Sequence, residues 1–366
     1  MIKSKFSFLI ALCIVLIIGT LIVGCSKKST DPVTYSWQLM DSGLGSPARA
    51  LAVYDGKLIA GGSFTTAGGE DINYIASWNG SMWDSLGSGV NADVVALTVY
   101  DGKLIAGGFF TTAGGEDISR IAAWDGSSWT ALGAGVNNTV SSLAVYDGKL
   151  IAGGEFDNAG VEVANHIASW DGSSWAPIGA GVGVNSSVYD LTVYDGKLIA
   201  GGYFTTAGGE NASNIASWDG SMWDSLGSGF SGFSGGLGPR IYAMTIYNGE
   251  LIAGGIFTTA GGAAASCIAA WDGSMWDSLG SGLNGNVRAL TVYNGKLIAG
   301  GAFDTAGVEG ANNIASWDGS SWAPLGSGVN ADVVALTVYD GKLIAGGYFT
   351  TADGATVNNI AAWGIQ

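Results

Sequence analysis

Short apolar runs separated by turn residues recur along the chain from about residue 35 onwards. One stretch contains "VVALTVY", "KLIAGGFF", "RIAAW" and "SWTALGAG", and these runs are five to eight residues long and rich in Val, Ile, Tyr, Trp and Thr. Runs of this length and composition, bounded by Gly, Asp and Asn, are typical of β-strands. No stretch has the periodicity of an amphipathic helix. The pattern therefore predicts an all-β chain built from units of four short strands.

The four-strand unit occurs seven times. The phrase "[KE]LIAGG" begins at Lys57, Lys103, Lys149, Lys197, Glu250, Lys296 and Lys342, so the copies are 46, 46, 48, 53, 46 and 46 residues apart. A period in the forties with four strands per repeat is the signature of a β-propeller. We predict a seven-bladed propeller of four-stranded antiparallel blades over residues 35–366. Its repeats span about 48–89, 92–135, 138–181, 187–229, 240–282, 286–328, and 332–363 together with 35–43.

Two hairpins are predicted within each unit. The first has the turn "Y-D-G-K", and Asp-Gly tolerates the positive φ that a type I′ turn requires. The second, "W-D-G-S-S-W", has a tryptophan on each side of its loop. Both turns place aspartates at the surface, so many of the acidic residues are explained by turn formation.

The tryptophans predict how the first and last repeats meet. Six units carry two tryptophans each, whereas the seventh ends soon after Trp363. The missing partner is Trp37 in "YSWQLMDSGLG", which aligns with "SSWAPLGSGVN", and this pair completes the 14 tryptophans. We expect the strand around Trp37 to complete the last blade and close the ring, which would remove two open sheet edges.

The first 34 residues have a different character. Two lysines precede an apolar stretch at 6–23, which is typical of a secretory signal and long enough for an uncleaved membrane anchor. The end of this stretch, "LIVGC", resembles the lipobox of bacterial lipoproteins. The resemblance implies a signal peptide at 1–24, lipidation of Cys25 and a tether at 25–34. We therefore predict a lipid-anchored protein of the bacterial cell envelope, at the outer membrane or cell surface, with the uncleaved anchor as the alternative.

Charge and composition argue against several classes of function and site. With 14 basic and 30 acidic residues the net charge is −16, and no basic stripe is present to bind nucleic acid. The chain has one histidine, and Cys267 is the single cysteine after Cys25. Neither a disulfide nor a His/Cys metal site is therefore expected. The acidic "GGED" segments could hold Ca²⁺, but their spacing matches no calcium loop. We expect a monomer with no cofactor.

The unit resembles a known family. An apolar strand ending in a double glycine, followed by an aromatic-Asp pair and a tryptophan, is the kelch-repeat pattern. The form "LIAGGxFTTAGG…NIAxWDGSSWxxLGSG" is still more similar to the extracellular repeats of the fungal cortical polarity marker and of secreted bacterial proteins. The resemblance covers residues 35–366 and implies a propeller fold, but it leaves function open because such propellers include enzymes, scaffolds and lectins.

Variation among the repeats indicates which face could bind a ligand. Residues vary after the double glycine and between the fourth strand and the next unit, and an antiparallel blade places both connections on one face. Loops on a rigid scaffold often carry function, although unselected drift is the alternative. We predict that this loop-rich face recognises a protein or a glycan. The candidate contacts are Phe109, Arg120, Tyr203, Phe230, Phe233, Arg240 and Tyr348.

The candidate contacts have structural alternatives. Phe230 and Phe233 lie in the Gly/Ser-rich segment "GSGFSGFSGGLGPR", where exposed aromatics would mark an interface but could also fold back over a blade. Phe109, Tyr203 and Tyr348 occupy the variable position after the double glycine and could equally serve packing between blades.

Catalysis has little support in the sequence. His166 and Cys267 occupy the same repeat position in different units, so they would form a nucleophile–base pair only across the ring. We therefore predict a non-enzymatic binding module. The alternatives are a carbohydrate-active enzyme with carboxylates near the propeller axis, and a recently amplified repeat protein with no dedicated ligand.

Overall fold

The computed structural model describes residues 34–179, 183–233 and 238–365, and every regular element within them is a β-strand. Tyr35–Gln366 forms one compact unit. Within these described ranges no helix has the length and apolar character needed to cross a membrane. The predicted signal peptide at 1–24 and Cys25 lie outside the described residues.

The repeats fold as four-stranded antiparallel sheets, of which the described residues contain seven, numbered here 1 to 7 by their first strands. The first strands are Ala48–Tyr54, Val94–Tyr100, Val140–Tyr146, Val188–Tyr194, Arg240–Tyr247, Asn286–Tyr293 and Val333–Tyr339. The second strands are Lys57–Gly62, Lys103–Gly108, Lys149–Gly154, Lys197–Gly202, Glu250–Ile256, Lys296–Ala302 and Lys342–Gly347. The third strands are Ile75–Trp78, Ile121–Trp124, Ile167–Trp170, Ile215–Trp218, Ile268–Trp271, Ile314–Trp317 and Ile360–Ile365. The fourth strands are Trp83–Ser85, Trp129–Ala131, Trp175–Pro177, Trp223–Ser225, Trp276–Ser278, Trp322–Pro324 and, in sheet 7, Tyr35–Leu39.

A small hairpin follows each second strand, in the segment whose sequence varies after the double glycine. The hairpins are Thr66–Ala67 with Glu70–Asp71, Thr112–Ala113 with Glu116–Asp117, Asn158–Ala159 with Glu162–Val163, Thr206–Ala207 with Glu210–Asn211, Thr259–Ala260 with Ala263–Ala264, Thr305–Ala306 with Glu309–Gly310, and Thr351–Ala352 with Ala355–Thr356. A residue of the incoming connection pairs with each hairpin, as Val90 does with Ala113, and before sheet 5 this partner is the short strand Phe230–Ser231. The two variable connections therefore meet at the same end of each sheet.

The opposite end of each sheet carries the tight turns. Between the first and second strands, Asp101 and Gly102 have φ values of 48° and 69°, as the predicted type I′ turn requires. Between the third and fourth strands, the carboxylate of Asp125 accepts hydrogen bonds from the backbone N–H groups of Ser127 and Ser128, both at 2.8 Å. The aspartates of both turns thus have a local structural role, as the sequence indicates.

The fourth strand of sheet 7 comes from the start of the described chain. Tyr35–Leu39 pairs antiparallel with Ile360–Ile365, and the register places Trp37 opposite Trp363. The two indole rings lie 5.3 Å apart, as do those of Trp124 and Trp129 within sheet 2. Sheet 7 therefore has the same tryptophan pair as the sheets formed from contiguous sequence.

Indole hydrogen bonds connect successive sheets. Trp129 Nε1 donates to the carbonyl of Leu86, the residue after the fourth strand of the preceding sheet, at 2.9 Å. The same bond joins Trp37 to the carbonyl of Leu325 at 3.4 Å, and Trp83 to the carbonyl of Met40 at 3.3 Å. The segment around Trp37 is thus bonded to sheet 6 on one side and to sheet 1 on the other.

The hydrophobic core lies between neighbouring sheets. One cluster combines Leu58 and Phe64 of sheet 1 with Ile344 and Ile360 of sheet 7, and equivalent clusters lie at the other junctions. The phenylalanine after the double glycine is buried in every repeat, with 5% or less of its surface exposed. Burial of such side chains is the main stabilising term for the fold.

Candidate functional site: the central cavity and its mouth

Each first strand has a β-bulge near its start. In sheet 1 the pairing register shifts between Ala48 and Ala50, and an equivalent shift occurs in the other sheets. The residues that the pairing skips are Arg49, Val95, Ser141, Tyr189, Tyr242, Arg288 and Val334. All seven line one cavity of about 250 Å³, called the central cavity below. Bulges commonly re-aim a side chain at a functional site, and here they place a variable residue of each repeat on one wall.

The mouth of the central cavity is formed by the bulged residues together with Phe109 and Tyr348. These two aromatics follow the double glycines of sheets 2 and 7, and each exposes 44% of its surface. They belong to the end of the sheets that carries the variable connections. The mouth therefore opens on the loop-rich face.

Arg49 is held at the mouth by its neighbours. Its Nε donates to the hydroxyl of Ser63 at 2.8 Å and lies 3.4 Å from a carboxylate oxygen of Asp93. The Ser63 hydroxyl in turn donates to the same oxygen of Asp93 at 2.7 Å. The guanidinium carbon lies 5.6 Å from the centre of the Tyr348 ring, within cation–π range.

Arg288 repeats this arrangement in sheet 6. Its Nε lies 3.5 Å from a carboxylate oxygen of Asp332, which occupies the same repeat position as Asp93. Its guanidinium carbon lies 5.4 Å from the centre of the Tyr242 ring. Roughly a third of each arginine side chain stays exposed, 34% for Arg49 and 36% for Arg288. The mouth thus presents two partly exposed guanidinium groups.

Tyrosines form the wall beside Arg288. The rings of Tyr189 and Tyr242 lie 5.5 Å apart with 32° between their planes. Burial raises the pKa of Tyr189, so its hydroxyl remains a hydrogen-bond donor at neutral pH. Arg240, adjacent to this wall, hydrogen-bonds the Tyr242 side chain and lies 4.7 Å from the centre of the Tyr203 ring.

Asp190 lies deeper in the central cavity, at a repeat position occupied by alanine in five other units. Its carboxylate accepts hydrogen bonds from the backbone N–H groups of Met244 at 2.5 Å and Leu191 at 2.9 Å, and from the hydroxyl of Ser142 at 3.3 Å. Burial raises the pKa of Asp190 to about 7, and these hydrogen bonds oppose that rise. The carboxyl therefore links three sheets and changes charge near neutrality.

This raised pKa predicts a pH-dependent stability. A carboxyl whose pKa is higher in the folded state binds a proton more tightly there, so its contribution to stability falls as pH rises from about 4 to about 7. We expect the Asp190→Asn variant to gain about 2 kcal/mol of unfolding free energy relative to wild type between pH 5 and pH 8, as measured by urea denaturation. If the unfolding free energies of the variant and the wild type differ by the same amount at pH 5 and pH 8, this expectation is contradicted.

Basic side chains of the described residues are divided between the two ends of the sheets. The lysines begin second strands, directly after an Asp-Gly turn or, for Lys296, an Asn-Gly turn; they are Lys57, Lys103, Lys149, Lys197, Lys296 and Lys342. All four arginines lie towards the end that carries the variable connections; they are Arg49, Arg120, Arg240 and Arg288. The arginine guanidinium groups thus lie at the mouth end of the sheets, and the lysine ammonium groups lie at the opposite end.

The prediction that Phe230 is an exposed contact is wrong. Phe230 exposes only 1% of its surface and packs against Phe257 and Trp276, with ring centres 4.5 and 4.7 Å away. It pairs with Ala260 as Val90 pairs with Ala113, so it occupies a core position of the repeat. Phe233 is half-buried and borders residues that the structure does not describe.

The other predicted contacts fall in three places. Phe109 and Tyr348 line the mouth itself. Tyr203, 40% exposed, and Arg240 form a cation–π pair beside it. The Arg120 side chain hydrogen-bonds the backbone carbonyl of Phe109, so it supports the loop next to the mouth. The predicted set thus contains residues of the mouth, but the arginines and tyrosines of the bulges were missed.

His166 and Cys267 occupy a structural position. Both have a left-handed backbone, with φ values of 72° and 60°, as do the equivalent residues of the other repeats. Each backbone carbonyl accepts a hydrogen bond from the second glycine of its double glycine, as His166 does from Gly154 at 3.0 Å. Burial lowers the pKa of His166 and raises that of Cys267, so the thiol is a weak nucleophile. Across the described part of the chain, no group of three metal-ligating side chains is found.

Comparison with known proteins agrees with this architecture. The family model of a domain of unknown function described as a β-propeller, DUF5122, matches residues 55–76, 195–216 and 340–361. Each match runs from an Asp-Gly turn to the start of the third strand. No curated protein sequence matches the chain.

Solved structures with the same fold share little sequence with this chain. The computationally designed Ika8 protein is 17% identical with a TM-score of 0.52, covering 90% of this chain and 100% of its own. The WD40 β-propeller domain of Doa1 is 16% identical with a TM-score of 0.55, covering 90% and 96%. The extracellular domain of the putative one-component system BT4673 from B. thetaiotaomicron is 9% identical with a TM-score of 0.62, covering 90% of this chain and 40% of that one. The chain is therefore an all-β protein with four-stranded antiparallel blades and a propeller-type repeat.

Proposed function

We propose that the seven sheets form a closed seven-bladed propeller. The first strand of sheet 7 contacts the first strand of sheet 1, as the first strands of successive sheets contact each other. The hydroxyl of Tyr339 in sheet 7 donates to the carbonyl of Gly56 in sheet 1 at 3.3 Å. The equivalent bond from Tyr54 to Gly102, at 3.4 Å, joins sheet 1 to sheet 2. This repetition of the inter-sheet contacts supports closure.

On this scaffold, the propeller acts as a non-enzymatic binding module whose ligand occupies the mouth of the central cavity. The observation that carries this proposal is the concentration of partly exposed aromatic and arginine side chains there, including Arg49, Arg288, Tyr348 and Phe109. Aromatic and arginine side chains dominate recognition surfaces because they combine large contact areas with directional hydrogen bonds. Their placement on variable positions of a uniform scaffold is consistent with selection for binding.

The binding module works outside the cytoplasm, tethered to a membrane through Cys25. The lipobox-like "LIVGC" supports this location. The extracellular origin of one structural neighbour is consistent with it.

Carbohydrate hydrolysis is the second candidate function, and the cavity favours it less. Most glycoside hydrolases use two carboxyl groups roughly 5–10 Å apart. Asp190 is the one carboxylate among the described residues that line the central cavity. A site with one carboxylate can hydrogen-bond a sugar without supplying both the acid and the base.

A binding screen tests the proposed function. The full-length protein would be assayed against surface glycans and envelope proteins, beside a mouth variant carrying Phe109→Ala and Tyr348→Ala. We expect binding that falls at least tenfold in the mouth variant, because truncation of such aromatic anchors commonly costs 2 kcal/mol or more.

The matched control changes exposed apolar residues at the other end of the sheets. Met82 and Met275, in turns between third and fourth strands, expose 56% and 57% of their surface, so Met82→Ser with Met275→Ser should leave binding unchanged. Binding that survives in the mouth variant would place the site elsewhere. The absence of any ligand across the screen would favour the amplified repeat with no dedicated ligand.

A further inference from the structure

The arginines at the mouth retain free hydrogen-bonding capacity. Among the described residues, the hydrogen bond and ion pair of Arg49 use only Nε, and the ion pair of Arg288 does likewise. The guanidinium group has five donors in a rigid planar fork, so the Nη groups of both side chains remain available. Asp93 and Asp332 hold the guanidinium groups of Arg49 and Arg288 through Nε, and this contact sets the orientation of each group.

Guanidinium groups with free Nη donors are selective for planar anions. Two parallel N–H donors match the two oxygens of a carboxylate, and charge-assisted bonds of this kind are about twice as strong as neutral ones. No lysine accompanies the arginines at this end of the described sheets. Because the whole chain carries a net charge of −16, general attraction of polyanions is weak, and an acidic ligand depends on these specific contacts.

The remaining walls fit a sugar ring. The tilted rings of Tyr189 and Tyr242, and the rings of Tyr348 and Phe109, provide apolar faces and hydroxyl groups around the guanidinium groups. A pyranose ring has apolar C–H faces and a rim of hydroxyl groups, so it complements such walls. The cavity of about 250 Å³ lies below the range usual for drug-sized ligands, which favours a single small unit over a long segment.

We propose that the mouth of the central cavity binds a carboxylate-bearing sugar, such as the terminal uronic acid residue of an acidic glycan. The proposal rests on the binding function given above and adds the class of ligand. The carboxylate lies against the Nη groups of Arg49 or Arg288. The sugar ring packs against the tyrosines, and its hydroxyl groups hydrogen-bond their neighbours.

Isothermal titration calorimetry of the full-length protein with three probes tests this assignment. The probes are trigalacturonate, its fully methyl-esterified form, and hexaglutamate, which has carboxylates but no sugar rings. We expect trigalacturonate to bind at least tenfold more tightly than either of the others. Equal binding of the methyl ester would overturn the requirement for the acid, and equal binding of hexaglutamate would overturn the requirement for the sugar.

Variants connect the binding to the two arginines. The Arg49→Gln, Arg288→Gln double variant should bind trigalacturonate roughly tenfold to hundredfold more weakly. The Arg49→Lys, Arg288→Lys variant should also lose most of the affinity, because a point charge does not replace the fork. The control is Lys103→Gln with Lys149→Gln, which removes the same charge at the opposite end and should bind as wild type does.

Each remaining outcome has a defined meaning. Thermal melting of every variant shows whether lost affinity reflects lost structure. If the double glutamine variant does not fold, the affinity of the double lysine variant for trigalacturonate tests the role of the two arginines. Trigalacturonate binding that is equal in all variants would overturn the proposal. No binding of trigalacturonate would also overturn it, whereas the proposed binding function would still stand if another ligand from the screen required Phe109 and Tyr348.

Discussion

Replacing Trp37 with alanine is expected to lower the free energy of unfolding by about 3–5 kcal/mol, as much as the same change at Trp129. Trp37 exposes 9% of its surface and Trp129 7%, and each packs against a paired tryptophan 5.3 Å away. Each also donates an indole hydrogen bond to the preceding sheet. The two losses should therefore match, although one residue lies in the strand at the start of the described chain and the other lies within a continuous repeat.

Urea denaturation of the two variants and of Tyr35→Ala measures this. Tyr35 lies on the same strand but exposes 41% of its surface, so its loss should cost much less. Deletion of residues 26–43 should have a larger effect and promote aggregation, because it exposes the edge of the strand Ile360–Ile365. A Trp37→Ala variant as stable as wild type would mean that this strand adds nothing to the fold and would contradict ring closure.

The second large effect is expected from Gly108→Ala, which should destabilise the protein by about 3 kcal/mol or more. A Cβ atom on Gly108 would lie 2.1 Å from the backbone carbonyl oxygen of Asp93, the residue directly before the first strand of the same sheet. A backbone atom cannot rotate away as a side chain can, so the first strand itself would have to move. That movement would also displace the bulged residue, Val95, on the wall of the central cavity.

A matched glycine provides the control. Gly310 lies in the small hairpin of sheet 6, has an ordinary φ, and a Cβ atom there would meet nothing within 4 Å. Gly310→Ala should change stability by less than about 1 kcal/mol, and could increase it by restricting the unfolded chain. Equal melting temperatures for the two variants, measured by circular dichroism, would show that the close approach at Gly108 does not limit the fold.

Most of the architecture could be predicted from the sequence because the same weak signals recur from repeat to repeat. A single "Y-D-G-K" is a weak turn signal. Its recurrence at similar spacing shows which strand precedes the turn and which follows it. The partner of Trp363 could be predicted because tryptophan is rare and the pairs are regular. The small hairpins were interpreted only as variable loops, since strands of two residues leave no periodic pattern.

The site was harder to predict, for two physical reasons. Phe230 was misassigned because its Gly/Ser-rich surroundings suggested exposure, although its alignment with Val90 and Val136, both buried, would have placed it in the core. Arg49 and Arg288 were missed because a bulge changes the direction of a side chain without changing the strand pattern. Only the assembled sheets show that bulged residues from seven distant segments line one cavity.

The pairing of Tyr35–Leu39 with Ile360–Ile365 also has a consequence for biosynthesis. Gln38 and Ile365, joined by a hydrogen bond, are 327 positions apart, so the strand that contains Gln38 has no partner until those intervening residues have been translated. At about 5–20 residues per second, that wait lasts on the order of twenty seconds to a minute. During this time "YSWQL" is an unpaired aromatic segment, and a chaperone bound to it would protect it from aggregation.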